Sequence, residues 1–116
     1  CTAANAMHGA LLIGPRHDIG ANAKDWLRAL PQFEVELYCD GKLMERGRGS
    51  NVLEGPLSAV RYLVELLARD PNNPPLAAGE IVSTGTLTRA LPVKAGEMWT
   101  TKLKGIDLEG VSLKFC

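Results

Sequence analysis

Residues 33–46 constrain the fold more than any other stretch of this chain. Phe33, Val35 and Leu37 alternate with Glu34, Glu36 and Tyr38, the period-two pattern of a half-buried strand. Asp40-Gly41 follows at once. That dipeptide adopts the positive φ angles of a two-residue hairpin turn at low cost. The chain then returns as a strand from about Lys42 to Arg46, and Gly47-Arg48-Gly49-Ser50-Asn51 reads as a loop. A hairpin needs more strands or a helix to cover its apolar face, so the rest of the chain must supply that cover.

The spacing predicts one helix, over Pro56–Arg69. Pro56 suits the first helical position, where its missing N–H costs nothing. Leu57, Val60, Leu63, Val64 and Leu67 recur at helical spacing, and Arg61, Glu65 and Arg69 lie opposite. The proline-rich run from Asp70 to Pro75 ends the helix. Ala10–Ile13, closed by Gly14-Pro15, reads as a short buried strand, and so does Glu80–Thr84, ending at Gly85. Two further strands are expected at Met98–Lys104 and Val111–Phe115. Residues 16–32 read mostly as loop. The sum is an α+β chain, mainly β, antiparallel or mixed, forming one domain over residues 1–116 with a single packed helix at about 56–69.

Composition removes several function classes. Thirteen Lys and Arg balance thirteen Asp and Glu, giving a formal net charge of zero. Nucleic-acid binders need clustered excess cations, so no nucleic-acid partner is expected. No apolar run approaches the ~20 residues that span a bilayer, and no signal-peptide pattern opens the chain, so no membrane partner is expected either. Cys1, Cys39 and Cys116 are odd in number and far apart, with no C-x-x-C. Three free thiols in a reducing cytoplasm are expected in preference to a Cys1–Cys116 bridge.

Four features have residue types that carry chemistry elsewhere. Glu34 and Glu36 point the same way on a strand, where a carboxylate pair can share a divalent cation. No third acidic ligand stands at a fixed distance, and the pair reads as surface carboxylates. His8 and His17, the two histidines, lack a nucleophile motif and read as loop residues. Gly47-x-Gly49 and Gly105-x-x-x-x-Gly110 lack the rest of a dinucleotide or phosphate loop and read as turn glycines. Ser83-Thr84-Gly85-Thr86-Leu87-Thr88 sets four hydroxyls and a glycine at a strand end. There, hydroxyls and backbone N–H groups can hold a carboxylate, or the threonines can simply serve as β formers.

The order of these motifs resembles the 2-keto-4-pentenoate hydratases of the fumarylacetoacetate hydrolase superfamily, whose relatives include 4-oxalocrotonate decarboxylases. The likeness rests on Asn5-Ala6 with Gly9 and the apolar stretch to Gly14, and on Gly47-Arg48-Gly49-Ser50 with Leu53 and Pro56-Leu57. It continues through Gly79–Gly85, Pro92–Glu97 and the closing Gly105–Phe115. The resemblance implies a mixed β roll and a lyase of the hydratase or decarboxylase type. Such a lyase acts on 2-keto or dienol acids in aromatic-compound catabolism, in the cytoplasm and as an oligomer. It also implies Mg²⁺ or Mn²⁺ in the full-length family, as a Lewis acid. The family's metal ligands and active-site lysine lie upstream of the matching segment. The chain is therefore expected to correspond to the C-terminal half of the catalytic domain, to hold no metal and to carry no catalytic residue. The substrate-binding residues implied are Thr84 and Gly85, which match the family's Thr-Gly, with Asn5 supporting the pocket. Ala4 stands where the family has Asp, and Met7 where it often has Ser. The partners expected are a small keto acid and further copies of the chain. The other reading is a non-catalytic small-molecule-binding or oligomerisation module with the same fold.

Overall fold

The computed structural model describes residues 9–116, so His8 and Asn5 lie outside the described residues. The elements in chain order are α1 (Ala23–Ala29), β1 (Glu34–Cys39), β2 (Lys42–Arg48), α2 (Pro56–Arg69), β3 (Met98–Lys104) and β4 (Ser112–Lys114). A single 3-10 turn at Gly49–Asn51 follows β2. The strands form one sheet of order β2-β1-β3-β4, antiparallel at every pair.

The hairpin forms as its turn chemistry dictates. Asp40 and Gly41 sit at φ 49° and 81°, and β1 and β2 close around them. Asp40 also ties the hairpin to β3: its N–H donates to the Met98 carbonyl at 2.8 Å, and its Oδ1 accepts the Met98 N–H at 2.9 Å. A register shift between Leu37 and Tyr38 bends the β1–β2 ladder. The strand β2 runs two residues further than the alternation suggests. Gly47 therefore lies inside a strand, and Gly49 is a buried residue of the 3-10 turn.

The helix α2 spans the residues expected, with Pro56 in its first turn. It packs less than its pattern implies. None of its residues is buried, and Leu57 and Val64 are 40% and 46% exposed. Three consecutive residues before it, Leu53, Glu54 and Gly55, take φ angles of 43°, 69° and 142°. For Leu and Glu this left-handed backbone is strained. Glu54→Gly is expected to stabilise the fold by about 0.5–1 kcal/mol. That is the margin between the left-handed cost and the extra chain entropy of glycine. Chemical denaturation checks it through a raised midpoint at constant slope.

Three expectations need correction. Ala10–Ile13 and Glu80–Thr84 are not strands; both are irregular. Apolar, β-branched content suits a strand, but a strand exists only when a neighbour supplies backbone partners, and neither segment is part of the four-stranded sheet. Residues 23–29, read mostly as loop, form α1, with Asp25 in the first turn and Arg28 in the last matching the helix dipole. The mainly-β core is small: Phe33, Val35, Val52 and Trp99 are its buried apolar side chains among the described residues.

Candidate functional site

The charged face of the sheet is built on β1. Glu36 is only 3% exposed, so it is not a surface carboxylate. Register explains why. Glu36 lies on the central side of the hairpin, opposite Arg46 on β2 and Lys102 on β3. Its Oε1 accepts from Arg46 Nε at 3.1 Å and from Lys104 Nζ at 2.9 Å, and its Oε2 accepts from the Tyr38 hydroxyl at 2.6 Å. The Tyr38 hydrogen bond, then Lys104, lower the Glu36 pKa to about 2, against the opposing effect of burial. The same bond raises the Tyr38 phenol above its ordinary value. Lys102 covers the Tyr38 ring, 4.8 Å from its centroid. Glu34 is engaged too, accepting from Arg48 at 2.7 and 3.1 Å.

These pairings decide what the carboxylates can do. A hard cation needs several convergent, free oxygens. Glu36 offers neither oxygen, and no cluster of three His, Cys, Asp or Glu able to hold a metal occurs among the described residues. The residues described do not fit a divalent cation. Titration of the chain with Mn²⁺ is expected to show only weak binding, unchanged by replacing Glu34 and Glu36 together with Gln. A tight site lost in that double variant is the contrary result.

The other face of the sheet bears a cleft of about 350 Å³. Leu37, Trp99, Leu113 and Phe115 form its apolar floor, and Thr86 and Thr88 line it from the segment that crosses above. An Arg89–Glu45 ion pair at 2.7 Å fastens that segment to β2. The Asn51 amide fastens it again, donating to the Leu87 carbonyl at 2.9 Å. Trp99 is held in place by its indole N–H, which donates to Glu97 at 3.0 Å.

The hydroxyl-rich run therefore divides. Thr86 and Thr88 line the cleft, whereas Thr84 and Gly85 lie just before it. Thr84 is half-buried, and its hydroxyl makes no hydrogen bond to another described residue. Gly85 packs against Val52, whose methyls lie 3.6 Å from the position a Cβ would take. Sequence reasoning missed Arg89 and the buried role of Glu36. The alternation on β1 put Glu36 on the polar face, but only the pairing of β1 with both neighbours surrounds it with cations.

The remaining candidates fall to structural roles. His17 Nε2 lies 2.9 Å from Glu109 Oε2 and near the Trp26 ring, in an irregular segment as expected of a loop histidine. The His17 contact lowers the Glu109 carboxyl below its ordinary value. Gly47 and Gly49 mark close approaches of backbone, not turns in a ligand loop. Cys39 and Cys116 are free thiols. No helix among the described residues is long and apolar enough to cross a membrane.

No family model matches the chain. Individual proteins do. A 2-keto-4-pentenoate hydratase of Paraburkholderia phymatum is 37% identical over 72 residues, 62% of this chain and 27% of its own length. A 4-oxalocrotonate decarboxylase of Pseudomonas putida is 38% identical over 81 residues, 70% of this chain and 29% of its own. A 2-oxo-hept-4-ene-1,7-dioate hydratase of Escherichia coli is 32% identical over 95 residues, 80% of this chain and 32% of its own. The solved structure of 4-oxalocrotonate decarboxylase from Pseudomonas putida G7, complexed with magnesium and adipate, superposes with a TM-score of 0.66 at 36% identity. That superposition covers 76% of this chain and 32% of the decarboxylase. The chain thus spans about 27–32% of the length of these relatives. Sequence and fold together make this chain a homologue of the 2-keto-4-pentenoate hydratases and 4-oxalocrotonate decarboxylases, matching a C-terminal portion of that family.

Proposed function

We propose that this chain is the substrate-carboxylate end of a 2-keto-4-pentenoate hydratase-like lyase acting on 2-keto or dienol acids. The observation that carries the reading is the match in both sequence and fold to the decarboxylase complexed with magnesium and adipate, a dicarboxylate. Thr84 is the residue assigned to the substrate. Its hydroxyl is half-buried and makes no hydrogen bond to another described residue, so it can donate to a carboxylate oxygen. The resemblance assigns Gly85 beside it to the same subsite, and gives Asn5, which lies outside the described residues, a supporting role. Mg²⁺ or Mn²⁺ in the full-length family supplies Lewis-acid stabilisation of enolate charge. No step is assigned here to a metal, because the described carboxylates are already paired.

Calorimetric titration with adipate tests the assignment of Thr84. Thr84→Val removes the donor while keeping the shape. It is expected to weaken binding by about 1.5–3 kcal/mol, the range for a hydrogen bond to a charged group. Unchanged affinity removes Thr84 from the site. The 116-residue chain is not expected to consume 2-hydroxypenta-2,4-dienoate when Mn²⁺ is added. A positioned general base typically contributes ~10²–10⁴ in rate, and none is assigned within this stretch. Loss of dienol absorbance with the chain alone refutes that division of labour.

A second reading has its own support. The engagement of Glu34 by Arg48 and of Glu36 by Arg46, Lys104 and Tyr38 suits a domain that binds or assembles without performing chemistry. Adipate binding that persists with no turnover in any longer form of the protein distinguishes this module from the lyase.

A further inference from the structure

Charge is shared unevenly between the two faces of the sheet. On the face away from the Trp99 cleft, Glu34 and Glu36 of β1 lie between Arg46 and Arg48 of β2 and Lys102 and Lys104 of β3. Lys114 of β4 joins them by the same alternation. Five cations thus stand with two carboxylates, on a chain whose formal net charge is zero. Tyr38 and Thr100 face each other in register at the centre of this surface. Its middle is polar throughout, whereas the opposite face has the apolar floor of a core. A face of this kind is built to meet water or an ion, not a missing layer of packing.

Glu36 fixes two of the cations. Its Oε1 accepts from both Arg46 Nε and Lys104 Nζ, so one buried oxygen holds a guanidinium and an ammonium side by side. Burying a carboxylate carries a desolvation cost that pairing recovers only in part, and exposed pairs add little stability. What the arrangement gains is position. The Arg46 and Lys104 side chains remain 66% and 59% exposed. Arg46 commits only Nε to Glu36, and neither of its terminal nitrogens bonds to another described residue. Arg48 follows on the same face, about 6.8 Å along the strand. It donates through Nε and Nη2 to a single oxygen of Glu34, which leaves Nη1 without a partner among the described residues. The two guanidiniums border a cleft of about 460 Å³, together with Glu34, Gly47 and Asn51.

We propose that this cleft is an oxyanion site for the phosphate group of a small molecule, gripped by Arg46 and Arg48 with Lys104 adding charge. The chemistry selects phosphate over carboxylate. A phosphate brings nearly two charges and at least three acceptor oxygens, enough to bridge two guanidiniums one strand repeat apart. A carboxylate has one charge and two oxygens, which fill a single guanidinium fork. A nucleic-acid strand does not suit the face. Lys102 lies 4.8 Å from the centroid of the Tyr38 ring and occupies the aromatic surface on which a base would stack. The inference rests on neither Thr84 nor the lyase reading, since it concerns the opposite face of the sheet.

Backbone NMR of the full chain tests it, with inorganic phosphate added above its second pKa of ~6. Saturable shifts are expected at Arg46, Arg48 and Asn51, and acetate at matched ionic strength is expected to leave them unmoved. Methyl phosphate is expected to bind as inorganic phosphate does, since an esterified group keeps three free oxygens. Arg46→Lys and Arg48→Lys together keep the charge and lose both forks, and are expected to weaken binding about tenfold. The two carboxylates separate a positioned site from bare charge. Glu34→Gln and Glu36→Gln each make the face more positive by one charge. Glu34→Gln is expected to tighten binding, because it removes a like charge from the cleft. Glu36→Gln is expected to weaken it, because Arg46 and Lys104 lose their anchor. Tightening in both variants overturns the proposal. So does affinity unchanged in the double lysine variant, a readout that stands even if Glu36→Gln unfolds the protein. Acetate binding as strong as phosphate, exclusion of methyl phosphate, or shifts that never saturate overturns it equally.

Discussion

Gly49→Ala is expected to cost about 3 kcal/mol of stability, at the upper end of the range for overpacking a filled site. A Cβ at residue 49 would collide with the Leu30 carbonyl group and lie 2.9 Å from the Phe33 ring. The first obstacle is main chain, which cannot rotate away as a side-chain tip can. Gly49 is also the point where the 3-10 turn is tied back: its N–H donates to the Phe33 carbonyl at 3.0 Å. Opening space for a methyl would move the residues after α1 and strain that bond. Gly47→Ala is expected to behave alike. Gly47 sits opposite Val35 in the β1–β2 register, and a Cβ there would meet the Leu87 carbonyl group. Because ~1 kcal/mol moves the midpoint of a domain of this size by about 4 °C or more, thermal unfolding resolves both losses easily. Gly79→Ala is the useful contrast. Nothing lies within 4 Å of its Cβ position, and its cost is confined to the positive φ of 89°. A loss at Gly49 no larger than that at Gly79 would mean that the backbone yields where the structure packs it tightly.

Glu36→Gln is expected to reduce the acid sensitivity of the fold. The Glu36 carboxyl titrates at about 2 in the folded protein, held there by Tyr38 and Lys104 with help from Arg46. In the unfolded chain it titrates near the ordinary value of ~4.3. A depressed pKa contributes stability that is present above the unfolded value. That contribution is lost as pH falls through the folded one. The window thus runs from about pH 4.5 down to about pH 2. Stability of the unmodified chain should fall more steeply across that interval than that of Glu36→Gln. At neutral pH the gap is widest. Gln cannot satisfy two cations and a phenol together, so the variant should be the less stable there. Convergence of the two curves as pH falls towards 2 is the signature, and parallel curves from pH 5 to pH 2 would contradict the network. The residual slope belongs in part to Glu109, which His17 lowers, and to Asp70, lowered by its hydrogen bonds from Asn73 and Asn72.

Local chemistry alone wrote the hairpin and the long helix into the residues. Asp40-Gly41 requires only its own backbone preference, and the alternation from Phe33 to Tyr38 requires only that one face be dry. Pro56 and the proline-rich run after Asp70 bound α2 without reference to anything distant. The likeness to the hydratases was legible in the same way, from the spacing of Gly47-Arg48-Gly49-Ser50, Pro56-Leu57 and Gly79–Gly85, and sequence and fold comparisons agree with it.

Tertiary structure decided everything that depends on a neighbour. Ala10–Ile13 and Glu80–Thr84 have the composition of strands yet remain irregular, because a strand is a relation between two backbones and no adjacent strand pairs with them. Glu36 became a buried, strongly acidic carboxyl because β2 and β3 bring Arg46 and Lys104 to it across the sheet, 10 and 68 residues away in sequence. Gly47 and Gly49 look like loop glycines in one dimension. In three, they are the places where Leu87 and Leu30 cross too close for a side chain. Sequence periodicity reports which face of an element is dry. The identity of what lies against that face follows only from register and crossing, which no local pattern encodes.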